Sequence, residues 1–263
     1  MPHLHAVVKR VLAKDGSGGS NAARMSEERP ENSKPKRRSS VLRRMVYAAV
    51  AIALLPVVLV PLYAVMPPVS TLMLWRWITF QRVERVWTPL EEISPTLVSI
   101  VIAGEDGRFC THRGVDWEEL QSVIDDYGEY GDARGASTIP MQVAKNLFLW
   151  PGRQVVRKAL EIPLAYYMNA VWSKRRMIEI YLNIAEWGPD GEFGVEAAAQ
   201  RAFKKSASKL SNAEAALLAG ALPNPLVRDP ARPGPLLRRA ANTRQRIAVN
   251  NGASAISCVI SRR

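Results

Sequence analysis

Four short stretches of the chain carry residue types and spacings that could do chemistry. Glu105 and Asp106 close an apolar run, PTLVSIVIAGED, and Phe109, His112, Arg113, Gly114 and Asp116 follow closely. A carboxyl at the end of an apolar helix can be withdrawn far enough from water to serve as a general base. Taken alone, the same Glu-Asp pair also fits a solvated helix end. The second stretch, Gly135–Asn146, places Ser137 and Thr138 at a helix start, with Gln142 and Lys145 after them. Free backbone N–H groups at such a start form a seat for phosphate, and Lys145 and Arg153 stand at a helix-compatible spacing beside it. An ordinary capped helix with a solvated lysine would read the same way. In the third stretch, Arg157, Lys158 and Glu161 lie within one helical turn; a surface ion pair worth a few tenths of a kcal/mol is the default explanation. The fourth, Ser173-Lys174 followed by Ile178–Asn183, reads by itself as a core helix.

The elements that must position these residues are helical. Ser94-Pro95 opens a segment with helical apolar periodicity, and Arg157–Trp187 is a long periodic run with a joint near Ser173. GVEAAAQRAF (194–203) is a further short helix. Ser211 and Glu214 form a capping box opening another, which Pro223 stops. Few runs alternate at period two, so no sheet of any size is expected. Irregular loops are expected around Gly128–Ser137 and Trp187–Gly194. The fold class is mainly α.

The apolar fraction of 48% fits a packed core. Two cysteines exclude a disulfide-dense scaffold or a Cys₄ zinc site, and of three histidines two stand at His3 and His5. Residues 1–44 hold more than half of the net charge of +12, so the body is only mildly basic and nucleic acid is not an expected partner. Residues 14–40 are rich in Gly, Ser, Pro and charge and read as disordered. From Met45 to Trp75 no charge occurs, and Met45–Met66 supplies the roughly 20 apolar residues of a membrane span. Pro56 and Pro61 are tolerated in such a span. A cleaved signal peptide fits poorly, because the run is long, starts late and shows Pro67-Pro68 where a small-x-small site belongs. The basic stretch KPKRRSSVLRR precedes the span, so the N-terminus is expected in the cytoplasm and the body across the membrane. Trp75, Trp77 and Trp87 among Arg76, Arg82 and Arg85 suggest an interfacial segment. The expected organisation is a basic cytoplasmic arm (1–44), a transmembrane helix (45–67), a membrane-proximal segment (68–90) and a periplasmic domain (91–263).

In combination and order, the four stretches resemble the family 51 glycosyltransferases, the peptidoglycan glycosyltransferases. E-D-x-x-F-x-x-H-x-G is met by Glu105, Asp106, Phe109, His112 and Gly114. G-x-S-T-I-x-x-Q-x-x-K-N is met by Gly135, Ser137, Thr138, Ile139, Gln142, Lys145 and Asn146. R-K-x-x-E is met by Arg157, Lys158 and Glu161, and S-K-x-x-[IM]-[IL]-E-x-Y-L-N from Ser173 to Asn183. The likeness spans about residues 88–230, and its kind is the monofunctional, membrane-anchored one, since the chain ends at Arg263. Pro140 and Met141 replace residues that in many members include an amide, and Gln121 and Ser122 stand where some members carry Arg.

The resemblance implies a lysozyme-like, bilobal α domain. It also implies polymerisation of lipid II into β-1,4 glycan strands in the bacterial inner membrane, with release of undecaprenyl pyrophosphate and inversion at the anomeric carbon. Glu105 would be the general base, and Glu161 would sit near the pyrophosphate. Lys145, Arg153, Arg157 and Lys158 would meet its charge, with Ser137 and Gln142 hydrogen-bonding the substrate. No resident cofactor is implied, although such a site leaves room for a divalent cation at the pyrophosphate. Lipid II, the growing strand, membrane lipids and other cell-wall synthesis proteins are the expected partners. A lysozyme-like or lytic-transglycosylase hydrolase and a non-catalytic scaffold are the alternatives; the hydrolase would need no pyrophosphate cations. In an oxidising compartment Cys110 and Cys258 are able to pair, and the sequence does not decide between a bridge and two thiols.

Overall fold

The computed structural model describes residues 38–122, 137–150, 152 and 155–259. The chain divides into two units, residues 1–47 and 48–263. Helix α1 runs Arg38–Tyr63, and its Ser40–Tyr63 stretch has a mean hydropathy of 2.5, long and apolar enough to cross a membrane. Pro61 lacks an N–H and therefore leaves the carbonyl of Val57 without its helical partner. Tyr167 Oη donates to that oxygen at 2.9 Å. Trp172 Nε1 donates to Val60 O at 2.7 Å, and Arg176 donates to Tyr63 O and, at 2.7 Å, to Met66 O. The last turns of α1 thus hand their open carbonyls to the domain that follows.

Helix α2 (Thr71–Ile78) starts at the Ser70 cap, whose side chain accepts from Met73 N. Two-residue strands β1 (Glu84–Arg85) and β2 (Glu192–Phe193) pair in parallel, Glu84 with Glu192 and Arg85 with Phe193. This small sheet falls partly in the segment expected as an irregular loop. No periodicity marks it, because two residues are too few to show one.

Helix α3 (Pro95–Glu105) is the centre of the core. Leu97, Val98, Ile100, Val101 and Ile102 are all buried. It packs against α8 (Asn212–Ala221) and α9 (Pro235–Ala255). Helix α4 (Ile139–Phe148) packs against α5 (Val155–Val171) and α6 (Lys174–Ile184). Ser173 caps α6, accepting from Arg176 N, so the expected joint is a genuine helix start. Helix α7 (Val195–Phe203) follows β2, and the Ser211–Glu214 capping box opens α8 as expected. Helix α9 continues past the last element read from sequence. Cys110 and Cys258 are joined, with Cα atoms 5.5 Å apart, tying the segment after α3 to the end of α9 across 148 residues. The architecture is mainly α, as the sequence implies. The expected loop at Gly128–Ser137 lies, except for Ser137, outside the described residues.

Candidate functional site

Helix α3 ends at Glu105, and its two carboxylate oxygens are held from opposite directions. Gln142 Nε2, from α4, donates to Oε2 at 3.0 Å, and Arg244 Nη2, from α9, donates to Oε1 at 2.5 Å. The Glu105 and Arg244 side chains are 11% and 12% exposed, so the pair is largely withdrawn from water. Tyr181 Oη donates to Gln142 Oε1 at 3.0 Å, which fixes the amide with its NH₂ toward Glu105. Burial, reinforced by the Glu105 charge, pushes the Tyr181 hydroxyl well above its usual range, so it remains a donor.

Asp106 does a different job. His112 Nε2 lies 2.8 Å from its Oδ1, and Ile139 N donates to its Oδ2 at 2.9 Å. Gly114 N donates to His112 Nδ1 at 3.1 Å, which places the ring proton on Nε2, facing Asp106. Thr138 caps α4 and donates through Oγ1 to Gly114 O at 2.6 Å. Gly114 has φ +114°, and a Cβ there would lie 2.8 Å from Ala165 O, so only glycine lets this turn reach the backbone of α5. Lys174 Nζ donates to His112 O at 2.8 Å and sits over the Phe109 ring. Burial lowers its pKa to about 8, with the Asp106 charge acting against the shift. The second carboxylate is therefore the buried node that seats α4 against α3.

The third stretch is not the solvated pair that its spacing suggests. Glu161 and Arg157 are 2% and 8% exposed, because this face of α5 turns inward onto α4. Arg157 Nη1 donates to Glu161 Oε1, and Lys158 Nζ lies 3.1 Å from its Oε2. Lys158 also donates to the Ser137 hydroxyl, joining α5 to the start of α4. Lys145 is half-buried on the same side of α4, and burial and then the Arg157 charge lower its pKa, against the pull of Glu161 and Glu105. It makes no hydrogen bond or ion pair with a described residue. Pro140 and Met141 lie on the buried face of α4, and Met141 packs with Val115 and Ala165.

A cleft of about 280 Å³ opens beside Glu105, lined also by Arg108, Asp116, Glu119, Ser137 and Thr138. The structure thus gathers Glu105, Ser137, Gln142, Lys145, Lys158, Arg157 and Glu161 on the facing ends of α3, α4 and α5. Arg153 lies outside the described residues. Among the described residues, no three His, Cys, Asp or Glu side chains converge on a common point. Sequence reading missed Arg244, which lies beyond the stretch carrying the resemblance. Its one local signal is position. Leu237, Ala241, Arg244, Ala248 and Ala255 fall on one helical stripe, with Leu237, Ala241 and Ala255 buried.

A helix apolar enough to cross a membrane, a helical domain, and a cleft with one clamped carboxylate and a half-buried lysine near it are the outline of a sugar-transfer enzyme working at a membrane. A family model described as Transglycosylase matches residues 73–252, and the chain belongs to that family, whose members are glycosyltransferases. It is 54% identical over 207 residues to a biosynthetic peptidoglycan transglycosylase of Rhodopseudomonas palustris strain TIE-1, covering 79% of this chain and 88% of that one. Proteins of the same description from Agrobacterium fabrum and Brucella suis are 52% and 51% identical, over 84% and 80% of this chain and 98% and 94% of theirs.

Proposed function

We propose that this enzyme polymerises lipid II into linear β-1,4 glycan strands of peptidoglycan. The names of its relatives support a peptidoglycan substrate. The observation that carries the reading is Lys145, half-buried, without a hydrogen bond or ion pair to any described residue, and close enough to feel the charges of both Glu161 and Glu105. In this reading Glu105 takes the proton from the acceptor sugar's 4-hydroxyl as its oxygen attacks the donor's anomeric carbon. Two lone pairs of the Glu105 carboxylate are filled by Arg244 and Gln142, and the others stay open for that proton. The bond from the anomeric carbon to the pyrophosphate oxygen breaks, and the stereochemistry inverts. The charge that appears on undecaprenyl pyrophosphate is met by Lys145, with Lys158 beside it and Arg153 as a further cation. Arg157 and Glu161 are buried against one another, so their part is to hold Lys158 and the local field rather than to grip substrate. A lipid-linked donor requires an enzyme at the membrane, and α1 supplies the anchor. The basic stretch before it favours a cytoplasmic N-terminus, an inner-membrane location and a periplasmic domain, with membrane lipids and other cell-wall synthesis proteins as neighbours.

The test is turnover of labelled lipid II by the full chain in detergent, with products run on gels before and after lysozyme digestion. The parent should give long lysozyme-sensitive strands. Glu105→Gln should slow polymerisation by about 10²–10⁴-fold, the usual contribution of a positioned base. Lys145→Ala should weaken lipid II binding as well as turnover. Well-folded Glu105→Gln at near the parent rate would remove the base from this residue. Soluble sugar fragments from preformed strands, with no polymer, would turn the reading to a hydrolase.

A further inference from the structure

We propose that Arg244 is a positioning residue, holding the Glu105 carboxylate in the orientation from which its open lone pairs meet the acceptor hydroxyl. The inference rests on the reading of Glu105 as the base. Arg244 lies 139 residues from Glu105 in sequence, yet its Nη2 is 2.5 Å from Oε1, while Gln142 holds the other oxygen at 3.0 Å. A carboxylate gripped at both oxygens cannot swing about its terminal torsion, and a base misplaced by an ångström loses about 10²-fold in rate.

Stability does not account for this arginine. Its Nη1 is buried with no hydrogen-bond partner, and an unsatisfied buried donor is a net cost to folding. Buried ion pairs can often be exchanged for apolar side chains without loss of stability. The residue also occupies the middle of the apolar stripe by which α9 packs on α3, where an apolar side chain would be the ordinary choice.

The facing helix has made room for it. Gly104 stands in the last turn of α3, where alanine would be the better helix former. A Cβ at that position would overlap Arg244 Nη1. A disfavoured residue on α3 and a disfavoured residue on α9 are therefore matched to one another, and the product of the match is the grip on Glu105.

The experiment compares initial rates on labelled lipid II and thermal melts for the full-length parent, Arg244→Met, Arg244→Lys, Gly104→Ala, Glu105→Gln and the double variant Glu105→Gln/Arg244→Met. Arg244→Met should lower kcat by about 10²-fold with KM within about threefold of the parent, and Arg244→Lys should recover about tenfold of that loss. Gly104→Ala touches neither charge, and should slow turnover while melting at or above the parent temperature. In the Glu105→Gln background, Arg244→Met should cost less than about twofold more, because the group it positions is already gone. Multiplying losses in the double variant would overturn the inference, as would parental rates for both Arg244→Met and Gly104→Ala while Glu105→Gln is inactive. If Arg244→Met fails to fold, Gly104→Ala decides: an unchanged kcat overturns the proposal. A Glu105→Gln enzyme at the parent rate would instead refute the base, whatever the Arg244 variants do.

Discussion

Replacing Asp106 by Asn exchanges one oxygen for an NH₂ and leaves the volume almost unchanged. Two donors point at the Asp106 carboxylate, His112 Nε2–H at 2.8 Å and Ile139 N–H at 2.9 Å. An amide has one oxygen for them. Turned with its NH₂ toward Ile139, it opposes the first N–H of α4. Turned toward His112, it forces the ring proton to Nδ1, where it meets the N–H of Gly114, 3.1 Å away. Even with the oxygen at the Oδ2 position, 2.9 Å from Ile139 N and 3.0 Å from His112 Nε2, the amide NH₂ is left facing another N–H with no acceptor, at a site where the Asp106 and His112 side chains are 2% and 6% exposed. Leaving a buried donor unsatisfied costs about 1–3 kcal/mol. For a domain of this size, about 2 kcal/mol lowers the melting temperature by about 4–8 °C. The assay is a thermal melt of the full chain in detergent, with lipid II turnover measured well below the transition. Turnover should fall far less than in Glu105→Gln, because both Asp106 oxygens are taken by His112 and Ile139 N in seating α4. An Asp106→Asn protein melting within about 1 °C of the parent would refute the donor count, and with it the tautomer assigned to His112.

Lys174, whose pKa burial lowers to about 8, is protonated more often in the unfolded chain than in the fold between that value and about 10.4. Stability should therefore rise with pH across that window. The parent's melting temperature minus that of Lys174→Met should increase from pH 7.5 to 9.5, and a constant or falling difference would show that the ammonium is not desolvated. Reducing the Cys110–Cys258 bridge frees a loop of 148 residues and should cost about 5 kcal/mol on the chain-entropy account. Alkylation of unreduced protein followed by mass spectrometry should find neither cysteine modified, and two modified cysteines would dispose of the bridge. A phosphatase fused after residue 90 should be active and a β-galactosidase fused there inactive; the opposite pattern would invert the topology.

What could be read from sequence was what local chemistry writes locally. Ser173 and Ser211 announced helix starts because a cap needs only the next few N–H groups, and both side chains accept as their spacing requires. Glu105, Gln142 and Lys145 stood in motifs, and the fold bonds Gln142 to Glu105 and sets Lys145 within reach of the Glu105 charge. The Arg157–Glu161 spacing gave the correct partner but the wrong surroundings, since i,i+4 geometry says nothing about which face a neighbouring helix will cover. Arg244 was invisible for a related reason. Its partner lies 139 residues away, and a stripe of one Leu and several Ala broken by an Arg marks the buried face only weakly. Asp106 was placed beside Glu105 by sequence, but its role depends on two donors that only the folded chain brings to it.

The prolines of α1 show how a local reading can be correct and still miss the consequence. Pro61 strands the carbonyl of Val57 inside an apolar helix, and Tyr167 supplies a donor to it. Tyr167 belongs to α5, and so does Arg157 at the helix's other end; Trp172 and Arg176, just beyond, take the next open carbonyls. The ten residues from Tyr167 to Arg157 span roughly 15 Å at 1.5 Å per residue. The same helix, with Pro163 in its interior, therefore carries both Tyr167, bonded to the end of α1, and the buried Arg157–Glu161 pair. With α1 in a bilayer, that helix fixes how far Lys145 and Lys158 stand from the end of the anchor. In the proposed reading the pyrophosphate of a lipid-linked donor is confined to the bilayer surface by its chain, so its distance from these cations would be set by the bonded turns at the end of α1 and not by a flexible tether.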